Sequence, residues 1–154
     1  MINDVKIIPL VAHEDDRGYL LEIARAVGGD APHAVIETFG QVYIVGDLVR
    51  GVVRAYKKHA EQPDALTIVH GTAKFVLKDD RPESSTYGEM MTVVIGQHAP
   101  KLLCIPPNVY YGWMSLEDDT LLMSLKSKVF DVDHPGSTRI SADSFGDVWT
   151  VKKR

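Results

Sequence analysis

At 154 residues, 45% hydrophobic and 25% charged, the chain has the length of one globular domain with a real core, and a second domain would be cramped. A net charge of -4 argues against the clustered basic surface that sequence-independent nucleic-acid binding needs, and the short basic end Lys152 to Arg154 reads as solvated. With Cys104 as its single cysteine no intrachain disulfide is possible; no cationic leader or membrane-length apolar run is visible, so the expectation is a soluble cytoplasmic protein without a membrane or nucleic-acid partner.

In chain order, Val5 to Val11 is an apolar, β-branched strand candidate, HEDDRG a turn, and Tyr19 to Ala26 a second strand that would pair with the first as an N-terminal hairpin. Gly28 to Pro32 reads as a loop, and Val35 to Thr38 with Gln41 to Val45 as extended material. A strand follows from Gly51, then Lys74 to Lys78, the polar turn DDRPESSTYG, and Met90 to Ile95, whose β-branched run looks buried on both faces. Lys101 to Ile105 and Tyr110 to Leu116 flank a Pro-Pro-Asn turn, and Thr120 to Leu125 ends the regular pattern. Glu117 to Lys128 also admits a helical drawing. Residues 131–154 lack either period and read as a tail packed by Phe145 and Trp149. Roughly nine short strands between turn residues give an all-β sandwich or barrel.

The segment from Gly51 to Gly71, GVVRAYKKHAEQPDALTIVHG, carries the chemistry. Its polar positions, Lys57, His59 and Asp64, follow the spacing of the first cupin motif, which has His, His and Glu there. CIPPNVYYGW follows the second, with Asn108 at the left-handed turn position and Tyr111 where a His would stand. The two spacings select a cupin jelly roll, residues 1–154 forming one domain. The metal set is gone, since one imidazole cannot hold zinc or iron as three or four ligands do, so no metal and no cofactor are expected.

Several segments in order resemble the dTDP-4-dehydrorhamnose 3,5-epimerase family: DDRGYLLEI, Gln41, GVVRAYKKH, DDRPESSTYGE, CIPPNVYYGW and VFDVDHPGSTRISADSFGDVW. The resemblance implies that Arg17 and Arg54 meet the nucleotide diphosphate, for which the planar guanidinium fork is suited, and that Gln41 and Tyr43 contact the sugar nucleotide. In a regular strand Arg54 faces away from Lys57 and His59, so a shared site requires a bulge between them. The family epimerises with a His base held by an Asp and an opposing Tyr acid. The base position here matches Lys57, the orienting carboxylate Asp143 and the acid Phe130, which cannot transfer a proton. His59 is then a displaced base or a loop histidine, and Tyr111 a proton donor or an aromatic platform.

The resemblance thus implies a metal-free epimerase or isomerase acting on a nucleotide-activated 4-keto-6-deoxy sugar, with Lys57, His59, Tyr111 and Asp143 as reassigned catalytic residues. The alternatives are an accessory protein that kept the sugar-nucleotide pocket and lost the proton chemistry, or a 3,4-ketoisomerase, whose Arg-Gly-x-His-Ala-His-Lys segment this chain lacks. The family also implies a homodimer pairing through residues 1–26, with Arg17 reaching the neighbour's pocket.

Overall fold

The computed structural model describes residues 1–28 and 30–151, without the side chain of Asp47; Gly29 of the anticipated loop and the basic end Lys152 to Arg154 lie outside the described residues. Its strands are β1 (Lys6–Pro9), β2 (Ala12–Asp15), β3 (Gly18–Leu21), β4 (Arg25–Ala26), β5 (Ala34–Ile36), β6 (Gln41–Leu48) and β7 (Val53–His59). They continue as β8 (Asp64–His70), β9 (Thr72–Asp79), β10 (Met90–Gly96), β11 (Lys101–Ile105), β12 (Val109–Ser115), β13 (Thr120–Lys126) and β14 (Ser137–Arg139). Two five-stranded sheets, β1-β11-β8-β13-β6 and β10-β9-β12-β7-β14, pair antiparallel throughout and form the jelly roll that the motif spacings select.

Alternation along the strands decides what lies between the sheets. Leu66, Ile68, Leu103, Ile105 and Leu122 from one sheet meet Phe75, Leu77, Ile95 and Trp113 from the other in the main apolar cluster. Both sheets are also covered outside. Leu21, Ile23 and Val35 pack over Ala65 and Leu102 of the first, beside Cys104, whose thiol burial pushes up to about 11. The tail covers the second: Phe145 lies 4.5 Å and Trp149 5.3 Å, between ring centroids, from Tyr56.

The turns follow their residues. Gly51 and Gly71, which bound the first motif, have φ of 88° and 72°, and Asn108 has φ of 60° at the predicted left-handed position. Its backbone N–H donates to the His59 carbonyl at 2.8 Å, tying the two motifs together.

Two expectations need correction. The N-terminal hairpin joins β2 to β3, whereas β1 leaves for the main sheet and pairs with β11, because its Ile8 and the adjoining Val5 find apolar surface there. β10 is an edge strand with Met90 40% and Val94 46% exposed, so one face only is buried. Thr120 to Lys126 is the strand expected there and not the helix that Glu117 to Lys128 also admitted, since its inward row Thr120, Leu122, Ser124, Lys126 has period two.

Candidate functional site

One register irregularity builds the site. Tyr111 lies opposite Lys57 but Trp113 lies opposite Arg54, so two steps along β12 correspond to three along β7. That is the bulge the sequence required without revealing. The extra residue restores Arg54 to the side of Lys57, and both line a cavity of about 410 Å³ with Tyr43, Tyr111, Trp113, Ser124 and Arg139. Gly112 makes room for it: a Cβ there would stand 2.3 Å from the Cβ of Ala55.

A second hollow of about 630 Å³ adjoins the first at Tyr43, Lys57 and Arg139, and adds Gln41, His59, Lys126 and Phe130. Of the residues singled out from sequence, Gln41, Tyr43, Arg54, Lys57, His59, Tyr111 and Phe130 therefore gather around one joined space. Phe130 stands at its rim, 60% exposed. Arg17 and Asp143 line neither cavity: Arg17 is on the β2–β3 turn paired with Asp15, and Asp143 is exposed beyond β14, its N–H 3.4 Å from the Ser141 hydroxyl. The residue across from Lys57 on β14 is Arg139, a cation where the family resemblance would place a carboxylate nearby.

The floor contains a group that the sequence reading left incomplete. Lys126, 5% exposed, ends the inward row of β13, and its Nζ contacts the carboxylate of Asp64, 3% exposed, on β8. His59 Nε2 lies 3.4 Å and Tyr111 Oη 3.5 Å from the same Nζ, and His59 Nε2 stands 3.9 Å from Asp64 Oδ1. Asp64 thus faces an ammonium group rather than capping its loop. The signal for Lys126 was present: a lysine at the end of an inward alternation of Thr, Leu and Ser is a cation directed into the barrel.

Electrostatics follow from this crowding. Burial, then Lys126 and Lys57, pushes His59 down to about 4, so it is a neutral imidazole at physiological pH. Burial, and next the like charge of Lys57, pushes Lys126 down to about 6; the Asp64 carboxylate in contact with its Nζ, being of opposite charge, favours the protonated form. Burial raises Tyr111 well above a free phenol, so it stays protonated and able to donate. Among the described residues no ion pair uses Arg54, Lys57 or Arg139, which leaves these three cations facing the space. Among the described residues the buried Ser124 hydroxyl on the wall of the smaller cavity also lacks a partner. Among the described residues, no three His, Cys, Asp or Glu side chains converge as a metal site would require.

A jelly roll with a cation-lined cavity at one mouth and acid–base side chains on its floor defines a cupin built for an anionic organic ligand. The chain belongs to the dTDP-4-dehydrorhamnose 3,5-epimerase family, whose pattern residues 1–153 match. It is 32% identical to a probable low-salt glycan biosynthesis epimerase of Haloferax volcanii, over 92% of this chain and 89% of that protein. It is equally 32% identical to a spore coat polysaccharide biosynthesis protein of Bacillus subtilis over the whole of both chains. The fold is that of a dTDP sugar isomerase from Desulfovibrio desulfuricans, with a TM-score of 0.82 and 24% identity, covering 93% of this chain and 87% of that one.

Proposed function

We propose that the protein binds a dTDP-4-keto-6-deoxy sugar and moves a proton at a carbon beside the ketone, as an epimerase of deoxysugar or polysaccharide biosynthesis. The carrying observation is the meeting of Lys57, His59, Tyr111, Lys126 and Asp64 at one floor beneath Arg54 and Arg139. Arg54 and Arg139 take the diphosphate, each guanidinium offering paired donors; Gln41, Tyr43 and Phe130 border the nucleotide and sugar. Lys57 occupies the position of the family base and withdraws the proton. Tyr111, protonated and buried, is the donor. His59 accepts from Lys126 and orients it. Asp143 lies beyond the cavities, in the turn where its carbonyl accepts from the Gly146 N–H at 3.1 Å, and does not touch the sugar.

We further propose a cytoplasmic homodimer in which residues 1–26 form the pairing segment and bring the exposed Arg17 to the cavity of a second copy. The edge of β1, open among the described residues, supports it, since unpaired strand edges are otherwise liabilities. Light scattering should find a dimer at micromolar concentration; a stable monomer would remove Arg17 from the site.

The functional test is incubation with the dTDP-4-keto-6-deoxy sugar in deuterium oxide. Deuterium should enter at C-3 or C-5 at least 100-fold above the protein-free rate. Tight binding of dTDP without deuterium entry would overturn the epimerase assignment, and failure to bind dTDP would overturn the ligand class.

A further inference from the structure

Within that functional reading, we propose that Lys126 acts covalently: its amine condenses with the ketone of the bound sugar, and the resulting iminium is the electron sink for proton exchange at the adjoining carbons. The position argues for it first. Lys126 lines the larger cavity from the end of β13, where its Nζ is ringed by Asp64, His59 and Tyr111. Imine formation requires these types of groups around an amine: a carboxylate and an imidazole to carry protons away from nitrogen, and a phenol to protonate the departing oxygen. An ion pair alone would use only Asp64.

The second amine argues further. Lys57 lines the same cavity as Lys126, and a cationic neighbour in a desolvated pocket is a recognised way to keep a lysine partly unprotonated and nucleophilic. The groups at the positions that the family's enolate route uses are also altered. The position matched to the acid is Phe130, and the residue across from Lys57 is Arg139, so no carboxylate on β14 faces that base. An iminium lowers the demand on the base, because its positive nitrogen accepts the electron pair that a ketone oxygen accepts less readily.

The steps balance without an added oxidant or reductant. The neutral amine, having passed one proton to Asp64 or His59, attacks the carbonyl carbon; the C–N bond forms as the C=O pair moves to oxygen, which takes a proton from Tyr111. The nitrogen then gives one proton back to the Tyr111 oxygen, the hydroxyl takes a second proton, returned by Asp64 or His59, and water leaves as the nitrogen lone pair closes the C=N bond. Counted over these steps, ammonium plus ketone gives iminium plus water, and the charge is unchanged. Once the iminium has formed, Lys57 acts in its free-amine form: it removes the neighbouring C–H proton to give a neutral enamine, Tyr111 returns a proton to that carbon and is itself reprotonated from the Lys57 ammonium, and one water hydrolyses the iminium to regenerate the ketone and Lys126.

The experiment uses the full chain with the dTDP-4-keto-6-deoxy sugar. Sodium borohydride should reduce the iminium to a stable secondary amine, found by mass spectrometry on the peptide bearing Lys126. In water enriched with oxygen-18 the ketone oxygen should exchange at least 10-fold faster than with Lys126→Arg. That variant keeps a cation beside Asp64, so it should fold and bind dTDP as before while forming no adduct. Lys57→Arg should still give the adduct. An adduct on Lys57, or dTDP binding with neither adduct nor accelerated oxygen exchange, would overturn the proposal while leaving the ligand class intact. Loss of dTDP binding by the unmodified protein would instead refute the functional reading on which it rests.

Discussion

The two ends of the space between the sheets are made by the same strands and differ in almost everything else. Towards the closed end, β8, β12 and β13 direct Ile68, Ser115 and Thr120 inward, the last two joined hydroxyl to hydroxyl at 2.8 Å; four or six residues further along the same inward rows stand Asp64, Tyr111 and Lys126. One end excludes water and holds the sheets together. The other gathers charge that folding alone does not need, since buried ions cost more than the apolar residues that would fit there. The division shows that the fold's stability and its chemistry are separable along single strands.

The sharpest break should come from the closed end. Phe75→Ala empties a fully buried position stacked 6.4 Å from Trp113 and should lower unfolding free energy by about 3–5 kcal/mol in urea titration, with dTDP affinity in the surviving folded fraction little changed. At the open end, Asp64→Asn leaves Lys126 without its counter-charge and should cost about 3 kcal/mol. The double change Asp64→Leu with Lys126→Met should recover that loss or better, yet abolish deuterium exchange. If the double variant is less stable than either single one, the open end contributes to the core and the division fails.

A smaller effect sharpens the contrast through pH. Because the folded His59 refuses a proton down to about 4 while the unfolded one accepts it near 6.5, stability attributable to this group is complete above 6.5 and declines as pH falls to 4. The decline should be about 1–3 kcal/mol, and denaturation midpoints of His59→Gln should lack that slope. The smallest effect belongs to neither end. Arg17→Ala removes an exposed pair with Asp15 and should leave the melting temperature unaltered, while weakening dTDP binding only in the dimer.

How legible was all this beforehand? The jelly roll was, since Gly51, Gly71 and Asn108 sit where left-handed turns are required and the inward rows alternate. The site was legible only as a set of positions. Ala55 and Tyr56 carry no turn chemistry, so the bulge beside them, which decides whether Arg54 faces the ligand, leaves its trace only in Gly112 on the opposite strand, and that pairing is a long-range fact. Lys126 was open to inference from its row, whereas its contact with Asp64 depends on the β8–β13 register. Asp143 matched in order along the chain, but order does not report that the tail turns away over the outer face after Arg139. The N-terminal hairpin was misplaced because apolar strands look alike until the sheet they join is known.

The covering of β7 by the tail has a practical consequence. The protein's two tryptophans fall on opposite sides of the same sheet: Trp113 in the wall of the smaller cavity, and Trp149 outside, its indole N–H donating to the Ala142 carbonyl at 3.1 Å. Emission from the first responds to whatever fills the barrel, and emission from the second to whether the clasp over Tyr56 is closed. With Trp149→Phe the remaining fluorescence becomes a direct optical titration of occupancy, and with Trp113→Phe it becomes a clock for detachment of the tail, so the unlabelled chain carries separate gauges for its inside and its outside.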